Sequence, residues 1–470
     1  VSIGSNHIDE SRWTGLSEVF RLAMPAILAS ISWTVMQFVD TAMVGQLGQV
    51  PLAAVGSAGL WSFVMNTFAV GVVGCVATFV GQSLGRGRLA DCGRYAWQGI
   101  YLSLATGILG LALWPLAGPI FNLMPHTPDV TQQEILYFRV RLFGYVFIAW
   151  QTALASFFQA INRPMIPMVS AFAANLANIV LDYGLIFGNF GLPRMEIAGA
   201  ALATVISLAF QVVILQWLFL SKPMEQTYAT RSGFAFNWRK TSELFNIGWP
   251  AGLSFLLDVT NWGIFTSFIV GYFGDSVLAA HTAAIAIMHI SFVPAMGLNQ
   301  AIAPIVGQWI GRENIPIAKA RAYTGTKLGI MYMFGMGVIF AFLGPSIIRA
   351  FFIDDPNVVK LCHVFLMMGA VFQGFDAINI VLSGALRGAG DTRWIAVMTA
   401  IGAYCIFLPS ALVMAFVFQW GAIGAWLGAT VYIIALSGIM FRRFHGERWR
   451  YIKIFRADLI PAVKAPDPLK

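Results

Sequence analysis

Apolar runs long enough to cross a bilayer recur along almost the whole of this sequence, and nothing else constrains its fold as tightly. A spanning helix needs about 20 mostly apolar residues. Such runs are expected at roughly 16–44, 52–80, 94–118, 134–160, 166–188, 197–220, 245–272, 278–305, 323–348, 360–386, 396–418 and 421–441. Hydrophobic residues make up 58% of the chain and charged ones 11%, against about 25% charged in soluble domains. No soluble fold of this length hides that much apolar surface. The polar start carries no signal-peptide pattern, so the first run, from Leu16, is expected to stay as a spanning helix.

The connections between runs alternate in charge. Short turns such as "GQLGQVP" and "GYFGDS" carry no Lys or Arg, whereas the stretches after the second, sixth and eighth runs carry Arg86, Arg88 and Arg94, then Lys222, Arg231, Arg239 and Lys240, then Arg312, Lys319 and Arg321. Of the 29 Lys and Arg, only Arg139, Arg141, Arg194, Arg349 and Lys360 fall on the opposite side. Cations gather on the cytoplasmic face of membrane proteins. Both termini are therefore expected in the cytoplasm of a multi-pass protein of the cell (plasma or inner) membrane. The net charge of +8 reports this orientation. The cations form no binding face, so no nucleic acid partner is expected. The four scattered cysteines, Cys75, Cys92, Cys362 and Cys405, read as small buried hydrophobes.

The chain also repeats itself. "FRLAMP" (Phe20 to Pro25) returns as "FNIGWP" (Phe245 to Pro250), "VGQLGQVPLAA" (Val44 to Ala54) as "VGYFGDSVLAA" (Val270 to Ala280), "VGQSLGR" (Val80 to Arg86) as "VGQWIGR" (Val306 to Arg312), and "IAGAALAT" (Ile197 to Thr204) as "IGAWLGAT" (Ile423 to Thr430). Six runs per half keep both halves in one orientation, so an axis along the membrane normal relates them. The expected fold is an all-α integral membrane protein with twelve transmembrane helices in two six-helix lobes related by pseudo-two-fold symmetry. The expected divisions are a polar tail at 1–15, one lobe at 16–220, a cytoplasmic linker at 221–244, a second lobe at 245–443 and a basic tail at 444–470. Paired halves of this kind hold transporter sites between them, and the linker is expected to let them rock. A monomer is expected.

Four acids sit inside the apolar runs: Asp40, Asp182, Asp258 and Asp376. A charge at the bilayer centre costs about 2.5–3.5 kcal/mol on insertion scales. These carboxyls must therefore face an interior cavity, be protonated, or hold a cation. Each has polar company on its own helical face: Gln37 before Asp40, Asn175 and Asn178 before Asp182, Ser254 and Asn261 around Asp258, Gln373 and Asn379 around Asp376. Structural glue between helices explains one such acid more readily than four. Taking a carboxyl out of water favours its neutral form, which suits proton coupling. Carboxylate and amide oxygens also suit Na⁺.

The stretches "FVDTAMVGQLG", "VGQSLGR", "VGQWIGR", "NIVLDYGLIFG" and "ALRGAGDTR" resemble the multidrug and toxic compound extrusion (MATE) family of cation-coupled exporters, over about Gly15 to Arg443. The resemblance implies two six-helix lobes around a V-shaped cavity and a cation site in the first lobe. Asp40, Asn178 and Asp182 match that site, a candidate for Na⁺, with Thr204 as a fourth member. NorM-type members also use a carboxylate pair in the second lobe, and Asp258 and Asp376 fall on those motifs. The first of that pair is usually Glu, so Asp258 reaches less far. The implied substrates are amphipathic organic cations: dyes, fluoroquinolone-like drugs and toxic amines. Trp33, Met36 and Phe38 beside Asp40, and Phe255 and Trp262 beside Asp258, offer aromatic faces and adaptable surfaces for them.

The expected mechanism is antiport with alternating access, in which H⁺ or Na⁺ and the cationic drug compete for the carboxylates. No other cofactor is expected. A flippase for lipid-linked oligosaccharide shares the architecture but would need cations in the cavity, and apart from Arg139 and Arg141 near the start of the fourth run the spans offer none. An intramembrane enzyme is the rival from another class. HExxH is absent, and His281 and His289 read as hydrogen-bonded core residues. "GALRGAGDTR" reads as a tight cytoplasmic turn rather than a phosphate loop.

Overall fold

A computed structural model describes residues 12–124, 126–351 and 355–455. The expected polar tail up to residue 11 and the basic tail from 456 onward, including Arg456, lie outside the described residues.

Twelve helices are long and apolar enough to span a bilayer, at the places the apolar runs indicate: α1 (Gly15–Gly45), α2 (Gln49–Gly85), α3 (Leu89–Asn122), α4 (Pro128–Ala160), α5 (Met165–Phe187), α6 (Glu196–Phe219), α7 (Trp238–Phe273), α8 (Asp275–Gly311), α9 (Ile315–Arg349), α10 (Pro356–Ala389), α11 (Thr392–Val417) and α12 (Gly421–His445). They form two lobes, α1 to α6 and α7 to α12. Large apolar side chains such as Phe38, Ile108, Leu109, Trp217, Phe268 and Phe342 remain exposed on the bare protein, as a lipid-facing surface requires.

The lobes join through a symmetric set of helices. The start of α1 lies on α8, the start of α7 lies on α2, and α2 meets α8 between them. Backbones touch there because side chains are absent. A Cβ on Gly71 would lie 2.6 Å from the Gly252 Cα, and one on Gly85 would lie 2.9 Å from the Gly311 Cα. Two repeat-related glutamines cross the seam in opposite directions. Gln82 Nε2 donates to the Gly388 carbonyl at 3.1 Å, and Gln308 Nε2 donates to the Ala160 carbonyl at 2.8 Å. Thr78 Oγ1 donates to the Arg387 carbonyl at 2.9 Å, Thr392 Oγ1 to the Ile247 carbonyl at 2.6 Å, and Arg321 pairs with Glu18 at 2.7 Å. All these contacts lie at the end of the molecule that carries the interlobe linker and the last described residues. Toward the other end, no hydrogen bond or ion pair joins the lobes among the described residues. The polar bonds that seal the lobes together are thus gathered at one end.

The chain crosses between lobes at that sealed end. Val19, Leu22 and Ala23 of α1 are buried in the core of the second lobe, while Ile454 and Phe455, beyond α12, are buried in the core of the first.

The linker is a docked strap. A short helix, Lys222–Tyr228, opens it, and α7 begins at Trp238. Trp97 Nε1 donates to the Thr230 carbonyl at 2.6 Å, Gln98 Nε2 to the Ala235 carbonyl at 3.1 Å, and the Tyr101 hydroxyl to the Phe234 carbonyl. α3 thus pairs backbone groups that a loose polar loop would leave to water. The Glu225 carboxylate, held by the backbone N–H of Arg231, lies below the usual carboxylate pKa. The "ALRGAGDTR" stretch also differs from a simple turn. α10 continues through Ala389, and the chain reverses at Gly390, whose φ of +88° favours glycine. Asp391 behind it pairs with Arg443 at 2.7 Å.

Candidate functional site

The first lobe brings α1, α4 and α5 together around two acids. Asp182 and Asn178, two neighbouring turns of α5, are 0% exposed, and Asp40 on α1 is 7% exposed. The Asp40 and Asp182 carboxyl groups face each other within hydrogen-bonding reach. Yet Asp40 Oδ1, both Asp182 oxygens and both amide atoms of Asn178 are buried without a donor or acceptor from the protein. Buried polar atoms are nearly always paired, so five orphans in one place mark a site that takes something else. Two carboxyl groups can bond directly only when one holds a proton. Their oxygens and the Asn178 amide oxygen also have the chemistry of a Na⁺ ligand set. Among the described residues no three His, Cys, Asp or Glu cluster as a metal site.

Two residues of α4 complete this cluster. Tyr137 is buried beside the acid pair, and Arg141, one turn on, lies close enough for its charge to act on both carboxylates. Arg141 Nε and Nη1 are buried without partners. With both acids ionised the cluster carries one net negative charge, which one monovalent cation or one proton neutralises.

The other first-lobe residues play plainer parts. Asn175 Nδ2 donates to Ser32 Oγ at 2.8 Å and so ties α5 to α1. The Thr204 hydroxyl donates to its own helix, at the Ala200 carbonyl, 3.0 Å away. Gln37 is half-buried one turn before Asp40. Met36 is buried, whereas Phe38 points away at 74% exposure.

The second lobe holds its acids differently. Asp258 on α7 and Asp376 on α10 are half-buried, each within the other's electrostatic reach. Asn379 Nδ2 approaches Asp376 Oδ1 at 3.5 Å, a long contact for a hydrogen bond. Asn261 and Gln373 are 1% exposed, and all four of their amide atoms lack partners. The Tyr432 hydroxyl of α12 is likewise buried and unpartnered, within reach of both acids' charge. Ser254 bonds back to the Ala251 carbonyl at 2.8 Å. Trp262 packs in the lobe's core against Phe265 and Phe407. These acids are not repeat copies of the first pair, since residues 32 and 150, one repeat earlier, are Ser and Trp.

The remaining polar residues divide: His281 and three of the cysteines sit in the core as expected, whereas His289 and Cys405 are exposed. His281 Nε2 bonds the Thr266 hydroxyl at 2.9 Å among Phe265 and Trp426. Cys75, Cys92 and Cys362 are buried free thiols, while Cys405 is exposed. A further expectation fails: beyond Arg139 and Arg141 the spans also hold Arg21, Lys327 and Arg387. Arg387 stands in the last turn of α10 and folds back along it, with Nε 3.3 Å from the Ser383 carbonyl.

The chain as a whole matches known proteins. The MatE family model fits residues 25–184 and 250–413, one segment in each lobe and more than half of the chain. The chain belongs to the MATE family. The probable multidrug resistance protein NorM of Pseudomonas aeruginosa is 31% identical over 424 residues, 88% of this chain and 86% of that one. The protein of that name from Thermotoga maritima is 27% identical over 434 residues, 92% of each chain. Among solved structures, a MOP superfamily transporter from Pyrococcus furiosus superposes with a TM-score of 0.84 at 20% identity, covering 92% of this chain and 95% of that one. A MATE transporter structure described as outward-facing gives the same TM-score and coverage at 20% identity. These likenesses show the fold, two lobes of six helices. MATE proteins are transporters, so this chain is a multi-pass membrane protein and not an enzyme.

Proposed function

We propose that this MATE transporter exports amphipathic organic cations in exchange for H⁺ or Na⁺. The observation that carries the reading is the pair of orphaned polar clusters. One is sealed around Asp40, Asn178 and Asp182, and the other stands around the more open Asp258 and Asp376. The relatives are named for multidrug resistance, and an acid pair beside the cleft attracts cationic amphiphiles.

The two clusters divide the work. The coupling ion occupies the sealed cluster, where Arg141 leaves room for one positive charge. The drug meets Asp258 and Asp376 in the cleft. Neutralising the acids on the outer side releases the drug, and loss of the ion on the inner side restores affinity. The cation-rich connections favour the sealed end as the cytoplasmic one, and on that reading the conformation faces outward. One charge moving inward down 100 mV supplies about 2.3 kcal/mol, enough for roughly a 50-fold drug gradient. The chain acts as a monomer in the plasma membrane.

The deciding experiment is dye efflux from vesicles carrying the purified protein, with a pH gradient and a Na⁺ gradient imposed separately. One of the two gradients is expected to drive ethidium against its own gradient. Asp40→Asn, Asp182→Asn and Asp376→Asn are each expected to reduce that transport severely while the protein still inserts. Undiminished efflux in the triple variant would overturn the reading.

A further inference from the structure

Arg387 is a half-buried guanidinium with no carboxylate partner among the described residues. That is an expensive thing to place inside a membrane protein. It is held rigidly. Nε donates to the Ser383 carbonyl at 3.3 Å, Nη2 donates to Asn299 Oδ1 at 2.9 Å and approaches Ser383 Oγ at 3.4 Å, and the plane lies 4.6 Å from the Phe255 ring centre. Asn299 is fixed in turn by donating to the Ile380 carbonyl and to Ser383 Oγ. Among the described residues Nη1 has no hydrogen-bond partner, and it is not shut off from solvent. Two N–H groups of an oriented, charged fork are therefore left for a ligand.

The position defines the ligand. The interlobe bonds Thr78 to Arg387 and Gln82 to Gly388 use the backbone beneath the guanidinium, which puts the charged head on the cleft side of the seal. On α10, Asp376 lies seven residues before Ser383, about 10 Å farther up at 1.5 Å per residue. On α7, Asp258 lies about one turn above Phe255. A cation stands at the floor of the cleft, two acids stand higher on the same lobe, and an aromatic ring lies between.

We infer that Arg387 is an anion subsite, and that the cleft takes amphipathic zwitterions with the carboxylate on Arg387 and the amine toward Asp258 and Asp376. This rests on the export reading above and names its substrate class. A charge-assisted hydrogen bond from the free Nη1 is roughly twice as strong as a neutral one. A pyrophosphate-linked cargo would want several cations here, and this cleft pairs one guanidinium with two acids.

The test compares a fluoroquinolone amino acid with its methyl ester, which keeps the amine and rings but loses the negative charge. Binding to the purified transporter is measured by tryptophan fluorescence, and efflux in energised vesicles. Wild-type protein is expected to favour the acid over the ester by about tenfold. In Arg387→Gln that ratio is expected to fall to about one, and in Arg387→Lys to recover in part. An unchanged ratio in Arg387→Gln overturns the assignment. If that variant does not fold, a wild-type ratio near one overturns it alone. Export of ethidium together with equal handling of acid and ester defeats the subsite and leaves the export reading standing. Wild-type vesicles that export neither defeat both.

Discussion

Asp182 has two buried oxygens, no donor for either, and another carboxyl group facing it. An acid in that position shares its fate with its neighbour. On the proposed reading Asp40 and Asp182 serve one ion, so removing either carboxylate empties the same site. The Asp40→Asn/Asp182→Asn double variant is therefore expected to export no more slowly than the worse single variant. Residues that act as a unit are strongly non-additive. Asp40→Asn combined with Asp376→Asn joins two different clusters and is expected to be worse than either alone. Initial efflux rates at fixed drug and gradient check both cycles. Equal behaviour of the two double variants would contradict a two-cluster site. The stripe Asn175, Asn178, Asp182 was legible in the sequence because it lies on one helix and helical periodicity reveals a face. Tyr137, Arg141, Tyr432 and Arg387 were not. They reach the clusters from other helices, or by folding back along their own, and a one-dimensional pattern carries no record of which helices face one another. Asn175 shows the converse. It shares the stripe, yet its amide spends its hydrogen bond on Ser32.

Glycine and proline in constant register made the two lobes legible in the sequence, and the seam shows why the register matters. Gly85 and Gly311 occupy the same place in the two repeats and meet each other, as the pseudo-two-fold axis demands. Gln82 and Gln308, each three residues before them, donate across the seam in opposite directions. Both are almost fully buried. Leaving one of these carbonyls unpaired costs about 1–3 kcal/mol, a large share of the bias between two conformations. Gln82→Ala with Gln308→Ala is expected to loosen the sealed end. Spin labels at the exposed positions Arg88 and Glu313 should report a longer distance population than in the parent. Gly85→Leu should do so more strongly, since its side chain would enter the Gln308 and Gly311 backbone. An unchanged distance distribution in both variants would show that other contacts hold the seam. The linker was the element the sequence described least well. Its polar composition suggested a loose joint, but Gln98, Trp97 and Tyr101 on α3 satisfy its backbone. Those partners lie more than a hundred residues away.

At the scale of the whole molecule, the lobes are joined by more than the strap. α1 begins in the second lobe's core through Val19, Leu22 and Ala23 and finishes in the first lobe's ion cluster at Asp40. It touches both the seal and the sealed acids, as does α4, whose Ala160 carbonyl accepts from Gln308 and whose Arg141 stands beside the acid pair. A change of charge at Asp40 can thus bias the far end of the same rigid element, which is the physical requirement for coupling two sites. The chain after α12 makes the reciprocal crossing. Phe455 lies edge-on to Phe79 at 5.7 Å and to Tyr95 at 5.8 Å, under the Arg86 guanidinium at 4.5 Å. Composition marked that segment as a basic cytoplasmic tail, but its aromatic and aliphatic residues close the core of the opposite lobe. The contact exists only while the lobes are together at this end, because Phe455 belongs to the second lobe by chain and to the first by packing. Truncating a buried Phe to Ala costs about 3–5 kcal/mol. Phe455→Ala is therefore expected to lower the thermal midpoint and to expose the sealed end. A cysteine placed at Gln82 should react with a membrane-impermeant maleimide from the cytoplasmic side faster in the Phe455→Ala background than in the parent. If the midpoint falls while that labelling rate stays the same, the crossing serves stability alone and the seam is governed by α1, α2, α7 and α8.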